Sequence, residues 1–199
     1  MLRKTLPILI GILTGLQLLQ AQTGSPVKVY VEQNGRRYLL NNSTVTLERA
    51  PFTLIVEFDQ PDRYNGIYIN TSYKRDYFNL FPSQPIPDFR YLPQKVLSEY
   101  KFNPNKELKI HREYFQYLGF NPKRNWFKFD RIEKKDGKVI GYRSVRNLDL
   151  VQQDKRIPVS RNHKDIYLFF TVLKKDPASL YGHREITRFK AKLKFRQSR

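Results

Sequence analysis

Two glycine turns, each flanked by alternating apolar and polar residues, constrain the fold of this chain more than any other sequence feature. The first turn is Asn34-Gly35. An Asn-Gly pair accepts the positive φ angles of a two-residue β-hairpin, so the flanking residues pair outward from it. Counting residue pairs outward from the turn places Glu32 opposite Arg37, a favourable cross-strand pair. The same count puts five apolar side chains on one face of the hairpin: Val27, Val29, Val31, Tyr38 and Leu40.

The second turn is Asp136-Gly137, inside a pair of extended segments that together span 125–147. Its register places Asp130 opposite Arg143. One face of this hairpin is predicted to carry Phe127, Phe129, Ile140 and Tyr142. The other face is predicted to carry Trp126, Ile132, Val139 and Val145. Both faces are partly apolar, so we expect both to be partly covered.

Further segments have the patterns of strands. Three of them alternate or are rich in β-formers: Thr44–Glu48, Phe52–Phe58 and Gly66–Asn70. Ile166–Leu173 is apolar at nearly every position, which predicts a central strand covered on both faces. Arg188–Arg196 alternates at every position. Together these segments predict a mostly β fold of about nine strands, an antiparallel β-sandwich or a partly closed barrel.

Six prolines between residues 82 and 122 interrupt the segment 73–125. We predict an irregular, Pro-rich insertion that packs on the core and carries one or two short helices. The helix candidates are Gln94–Tyr100 and Arg112–Leu118, the second of which ends at Gly119. The chain after residue 21 has the length of one domain, which we place at 22–199.

The first 21 residues have the pattern of a secretory signal peptide. Two basic residues precede the apolar run Leu6–Leu19, and Ala21 is a small residue suited to the position before a cleavage site. The run is about fourteen residues long, whereas a helix that crosses a bilayer needs roughly twenty. We therefore expect export to the periplasm or the cell exterior, with removal of 1–21.

The chain is strongly basic, with 37 Lys and Arg residues against 18 Asp and Glu residues. Removal of the signal peptide takes away Arg3 and Lys4 and leaves a net charge of +17. Such a charge attracts polyanions over long distances. In the cytoplasm the first candidate would be nucleic acid. Export argues against nucleic acid and favours anionic glycans or other envelope polymers, with membrane contact that is peripheral at most.

The chain contains no cysteine. An exported fold without disulfides must be held together by its packed core. The absence of cysteine also excludes thiol catalysis, cysteine-based metal sites and a lipoprotein anchor, which requires a cysteine after the cleavage site. We expect a mature protein with no lipid anchor, and we predict no metal site and no cofactor.

The last predicted strand carries the sharpest chemical pattern. Its apolar residues point to one side, and five cations point to the other: Arg188, Lys190, Lys192, Lys194 and Arg196. A strand rises about 3.4 Å per residue, so these charges recur about every 7 Å over about 27 Å. A repeating anionic polymer could follow that spacing. Two alternatives are an edge strand whose lysines prevent edge-to-edge aggregation and a surface that contacts another protein.

Aromatic and basic residues interleave between residues 63 and 78. This pattern is typical of surfaces that bind sugars, acidic glycans or single-stranded nucleic acid. A tyrosine-rich margin of the core with solvated charges explains it equally well. The candidate contact residues are Tyr64, Tyr68, Tyr73, Lys74, Arg75 and Tyr77.

Candidate catalytic groups are few. The histidines are His111, His163 and His183. Ser160, His163 and Asp165 lie close in sequence, but Ser160 has no nucleophile-elbow context. Three acids near one strand end, Glu57, Asp59 and Asp62, could supply a glycosidase carboxylate pair, although such residues are more often turn formers or ion-pair partners. We assign no catalytic residue.

The sequence therefore predicts an exported, non-catalytic binding protein. Its partner would be an anionic glycan or other envelope polymer, or an envelope protein, held by the basic face of residues 188–196. Two alternatives come from other classes. One is an envelope hydrolase that acts on glycan or peptide with Asp59, Asp62 or His163. The other is a structural subunit of a surface or secretion assembly with an aromatic contact patch.

Overall fold

Strands dominate the computed structural model of this protein, which describes residues 26–59, 64–75, 107–119, 129–178 and 183–196. These residues include two single turns of 3-10 helix, Val151–Gln153 and Val159–Arg161. The predicted mostly β class is confirmed. The strands are β1 (Val27–Gln33), β2 (Arg36–Leu39), β3 (Ser43–Glu48), β4 (Phe52–Phe58), β5 (Tyr64–Ser72), β6 (Glu107–Lys109), β7 (His111–Gly119), β8 (Arg131–Lys135), β9 (Lys138–Val145), β10 (Asn147–Leu150), β11 (Lys155–Pro158), β12 (Ile166–Lys175) and β13 (His183–Arg196).

The first predicted hairpin forms with the predicted register. Asn34 and Gly35 have φ angles of 53° and 71°, as a two-residue turn requires. Glu32 pairs with Arg37 across β1 and β2, and the Arg37 guanidinium lies 3.0 Å from the Glu32 carboxylate. The predicted apolar face is confirmed, since Val27, Val29, Val31 and Leu40 are fully buried and Tyr38 is partly buried.

The first hairpin belongs to a five-stranded antiparallel sheet with the order β2-β1-β4-β9-β8. The second predicted hairpin, β8 and β9, forms the other edge of this sheet. Its register is confirmed by the pairing of Lys135 with Lys138 and of Arg131 with Tyr142. Asp130, just before β8, contacts Arg143 as predicted, with 3.3 Å between carboxylate and guanidinium.

The predicted faces of the second hairpin are wrong at Phe129. We expected its ring beside Tyr142, but β8 begins only at Arg131, and the preceding chain turns the Phe129 ring over Gly141. A Cβ on Gly141 would lie 2.5 Å from that ring, so the missing side chain provides the space. Phe129 is buried on the same side as Val139 and Val145.

A second five-stranded sheet has the order β3-β13-β12-β5-β7. β12 lies at its centre, and residues 166–172 are all buried, which confirms the predicted central strand. β13 is antiparallel to β12 and parallel to β3. The sheet order therefore makes β13 an interior strand, so the interpretation of residues 188–196 as an edge strand is wrong. Ala191–Leu193 pair with both neighbouring strands, whereas Lys194–Arg196 pair with β3 alone.

The predicted helix at Arg112–Leu118 is also wrong, because these residues lie in β7. β7 pairs antiparallel with β5, with Tyr117 opposite Tyr68 and Gly119 opposite Gly66. Three aromatic residues in this segment suit the pleated surface of a sheet, and an open edge of β5 supplies the partner. The other helix candidate, Gln94–Tyr100, lies outside the described residues.

One hydrophobic core joins both five-stranded sheets and a small third sheet of order β11-β10-β6. Phe52 of the first sheet and Phe195 of the second have ring centroids 6.3 Å apart. Gln33 adds a polar connection: its amide donates to the Ala50 carbonyl at 2.9 Å and accepts from the Glu48 amide at 2.8 Å. The arrangement is sandwich-like. Across the residues that the structure describes, no helix has the length and hydropathy to span a membrane.

Candidate anion-binding surfaces

The basic face of β13 has the predicted side-chain alternation. Phe189, Ala191 and Leu193 are buried in the core. The cations that alternate with these residues become more exposed toward the end of the strand. Lys190 and Lys192 are half-buried, whereas Lys194 and Arg196 are exposed. The backbone of Arg188 lies in the same strand, and its side chain is outside the described part of the structure.

The strands beside β13 determine what surrounds these cations. On the β3 side, Lys192 and Lys194 pair with Thr44 and Thr46, whose side chains are exposed. On the β12 side, Lys192 pairs with the buried Tyr167. Lys192 and Lys194 therefore lie beside two exposed threonine hydroxyls, and Arg196 lies opposite Glu48. Both backbone edges are paired at Ala191–Leu193, so Lys192 is not needed to protect an open edge.

Lys192 is neutralised within the fold. Its ammonium lies 2.7 Å from the Asp165 carboxylate and 5.1 Å from the centroid of the Tyr167 ring. The hydrogen bond to Asp165 raises the pKa of Lys192 above its usual value. Lys194 and Arg196 have no carboxylate within 4.0 Å among the described residues. The outer end of this face thus carries the charge that is available to a ligand.

The predicted aromatic and basic patch is divided by the fold. Tyr68 is only 7% exposed and packs in the hydrophobic core, so it offers almost no contact surface. Lys74 and Arg75 are exposed, and Tyr73 is half-buried. Tyr77 and the side chain of Tyr64 lie outside the described part of the chain.

Tyr73 borders a cleft of about 390 Å³ that the sequence did not predict. The cleft lies between the end of β5, the small sheet and the connection from β11 to β12. Its wall contains two apolar residues, the Tyr73 ring and several basic groups. The lining residues are Tyr73, Leu150, Gln153, Lys155, Ile157, Arg161, Asn162, His163 and Lys164.

A hydrogen-bond network fixes one wall of this cleft. The Tyr73 hydroxyl donates to Asn162 Oδ1 at 2.9 Å, and the Asn162 amide donates to the Lys164 carbonyl at 2.8 Å. Asn162 is 1% exposed, so its polar groups depend on these partners. Burial raises the pKa of Tyr73 to about 12, so the hydroxyl remains a protonated donor into the alkaline range. The Lys164 ammonium lies 5.5 Å from the centroid of the Tyr73 ring.

The candidate catalytic groups do not assemble into one site among the described residues. Glu57 and Asp59 both contact Lys138, at 2.8 Å and 3.4 Å, which is an ion-pair role. His163 lines the cleft, but Asp165 contacts Lys192 instead of facing His163. Asp62 and the side chains of His111 and His183 lie outside the described part. No group of three or more potential metal ligands occurs in the ranges that the structure describes.

Sequence patterns could identify the basic face of β13 but not the cleft. The face follows from alternation within one strand. The cleft gathers residues from positions 73, 150–157 and 161–164, and short irregular turns connect them. The one available sequence signal was the density of basic residues between 155 and 164. The chain matches no protein-family model, no curated protein and no solved structure, so these two surfaces are the basis for assigning a function.

Proposed function

We propose that this protein is an exported, non-catalytic binding protein that holds an anionic envelope polymer against the basic face of β13. Its working form would be a single domain from residue 22 onward, in the periplasm or outside the cell and without a lipid anchor. One observation carries the proposal. Lys194 and Arg196 are exposed at the end of β13, where β3 is paired with them, and neither has a carboxylate within 4.0 Å among the described residues.

A strand in the interior of a sheet suits repetitive electrostatic contact. Side chains on one face recur about every 7 Å, and the backbone that positions them loses no further freedom when a ligand binds. The exposed hydroxyls of Thr44 and Thr46 lie beside Lys192 and Lys194 and can donate hydrogen bonds to the same ligand. The large positive charge of the chain would speed the encounter with any polyanion.

The hydrolase alternative has less support. The acids Glu57 and Asp59 are held by Lys138, and His163 lies apart from them on the connection between β11 and β12. A hydrolytic site needs an acid and a base that converge on one substrate. The described residues supply no such pair.

The assembly-subunit alternative also has less support. Among the described residues, the exposed large apolar side chains are Leu39 and Ile132. They lie in β2 and β8, at opposite edges of the first sheet. A protein contact patch is usually a contiguous apolar surface with aromatic anchors, and these two residues do not form one.

Salt-dependent binding tests the proposal. We would titrate the mature protein with polygalacturonate, which carries carboxylates, and with inorganic polyphosphate. Binding should weaken by at least about tenfold between about 50 and 300 mM NaCl, because each cation that neutralises the polymer releases a counterion. Binding that is insensitive to salt, or no binding to either polymer, would refute the proposal.

Two charge-reversal variants distinguish binding at the basic face of β13 from binding through the overall charge of the protein. Lys194→Glu/Arg196→Glu should lower polymer affinity by at least about tenfold. The matched control is Lys134→Glu/Lys135→Glu, which reverses two exposed cations in β8 of the other sheet. It makes the same change in net charge and should lower affinity by less than about threefold. Equal losses in the two variants would show that the protein binds through total charge alone.

A further inference from the structure

The cleft beside Tyr73 is positively charged. Three exposed cations line it: Lys155, Arg161 and Lys164. None of the three has a carboxylate within 4.0 Å among the residues that the structure describes. Like charges around one concave space repel each other, and an anion placed between them would relieve that repulsion.

Three acids close to the cleft are engaged elsewhere. Asp149 contacts Lys109 at 3.1 Å, and Glu107 contacts Arg156. Asp165 follows Lys164 in the chain but contacts Lys192. β11 alternates, so Lys155 and Ile157 line the cleft while Arg156 reaches Glu107. These three acids thus neutralise cations around the cleft and leave those that line it. A fourth acid, the exposed Asp154, precedes Lys155 in the chain and makes no ion pair within 4.0 Å among the described residues.

The cleft also has a non-polar part. Leu150 and Ile157 contribute apolar surface, and the Tyr73 ring lies beside them. The volume of about 390 Å³ is near the lower end of the range for small-molecule sites, which is about 300–1,000 Å³. Inorganic anions alone would leave the apolar surface without a partner. A ligand with a carbon skeleton would use both parts.

The walls are held in place before any ligand arrives. The hydrogen bonds that join Tyr73, Asn162 and Lys164 fix the position of the aromatic ring relative to the β11–β12 connection. Binding therefore requires only that long basic side chains order around the anion. Preorganised sites lose less entropy on binding, which favours specific recognition over diffuse charge attraction.

We propose that this cleft is a second binding site, which takes a small organic anion of about the size of a monosaccharide. A phosphate or carboxylate group would lie between Lys155, Arg161 and Lys164, and the carbon skeleton would contact Leu150, Ile157 and the Tyr73 ring. The guanidinium of Arg161 can bind either group through two parallel hydrogen bonds. No residue of β13 lines the cleft, so the site is distinct from the basic face of that strand.

Isothermal titration with four probes tests the site. The probes are glucose 6-phosphate, glucuronate, glucose and inorganic phosphate. At least one of the two sugar anions should bind, and which one binds identifies the anionic group. Inorganic phosphate should bind at least about tenfold more weakly than the preferred sugar anion, and neutral glucose should not bind. Failure of both sugar anions, or equal binding of sugar anion and inorganic phosphate, would overturn the proposal.

Two double variants locate the binding. Lys155→Ala/Arg161→Ala should weaken sugar-anion binding by at least about tenfold, since charge-assisted hydrogen bonds are lost. Both side chains are exposed, so the fold should tolerate the change, and the circular dichroism spectrum checks this. Lys194→Glu/Arg196→Glu should leave sugar-anion binding within about twofold. A loss in the second variant but not in the first would assign the anion to β13 and refute the cleft site.

The two proposals can fail independently. If the polymers do not bind but glucose 6-phosphate or glucuronate does, the proposal for β13 fails and the proposal for the cleft stands. Competition gives a further readout, because a saturating sugar anion should not displace polygalacturonate from β13. Displacement would show that both ligands use one surface.

Discussion

Lys192 and Asp165 form an ion pair of 2.7 Å between the basic face of β13 and the segment that precedes β12. The pair is partly exposed, with 20% and 37% of the two side chains accessible. An ion pair of this kind contributes at most about 1 kcal/mol to stability. Its larger effect is on charge, because it removes one cation from a face that the sequence alone would count as fully available.

Substitution of Asp165 by Asn should therefore strengthen polyanion binding. The change frees the Lys192 ammonium, so affinity for polygalacturonate should rise severalfold, and it should fall more steeply as salt increases. Asp136→Asn is the control, because it removes one negative charge in the β8–β9 turn and preserves a residue that accepts positive φ. Equal gains in the two variants would contradict the specific role of the Lys192 ion pair.

A second prediction concerns the buried guanidinium of Arg143, which is 3% exposed. Burial lowers its pKa, and the carboxylate of Asp130 at 3.3 Å opposes that shift. Asp130 also accepts a hydrogen bond from the Ser144 amide at 2.6 Å. Asp130→Ala should lower the free energy of unfolding by about 3 kcal/mol, because it removes a carboxylate that contacts a buried cation.

Urea unfolding of Asp130→Ala measures this loss. The double variant Asp130→Ala/Arg143→Met should recover part of it, since no buried charge remains and a methionine can fill the space. If the double variant were less stable than Asp130→Ala, the contacts that Arg143 makes would contribute more to stability than the burial of its charge costs.

Gly141 gives a prediction about packing. Its substitution by Ala would place a Cβ 2.5 Å from the Phe129 ring. Overpacking of this kind in a core costs about 1–3 kcal/mol. We expect urea unfolding of Gly141→Ala to show a loss of this size in the free energy of unfolding. In Gly141→Ala/Phe129→Leu the smaller leucine side chain should restore part of the lost stability. A further decrease in stability in this double variant would show that the two positions do not compete for space.

Tyr73 gives a prediction about alkaline pH. Its pKa is raised to about 12 in the folded protein, whereas a tyrosine in an unfolded chain has a pKa of about 10. Above pH 10 the unfolded chain loses this proton first, so the free energy of unfolding falls as the pH rises toward 12. The stabilisation is complete below pH 10 and is lost as the pH passes the folded value. Tyr73→Phe should show a smaller alkaline loss.

Absorbance titration of tyrosinate checks this directly. The difference between the titration curves of the natural chain and Tyr73→Phe should have its midpoint near pH 12. Tyr30 and Tyr142, whose pKa values are also raised by burial, are present in both proteins and cancel in the difference. A difference midpoint near pH 10 would mean that the hydroxyl of Tyr73 is not shielded from solvent.

Predictions from the sequence succeeded where the determining interactions are local. Asn34-Gly35 and Asp136-Gly137 impose two-residue turns, and strand pairing then follows by counting. The buried character of β12 could likewise be predicted from its own residues. The same local argument failed at Phe129, because the strand pairing had already ended and tertiary space beside Gly141 decided where the ring lies.

The failure at Arg112–Leu118 has the same origin. The seven residues of this segment, followed by Gly119, fit about two turns of helix as well as a strand. The open edge of β5 decided between them, since a strand there pairs with β5 through backbone hydrogen bonds. Sequence spacing contains no information about that partner.

By itself the sequence determined that this protein is mostly β, that two hairpins have fixed registers, and that one strand has a core side and a cationic side. These properties depend on turn angles and on the two-residue period of a strand. Tertiary structure alone decided that β13 is an interior strand, that Asp165 neutralises Lys192, and that basic residues meet around a cleft beside Tyr73. Charges interact through space rather than along the chain, so the availability of each cation is settled only when the fold places acids beside some and not others.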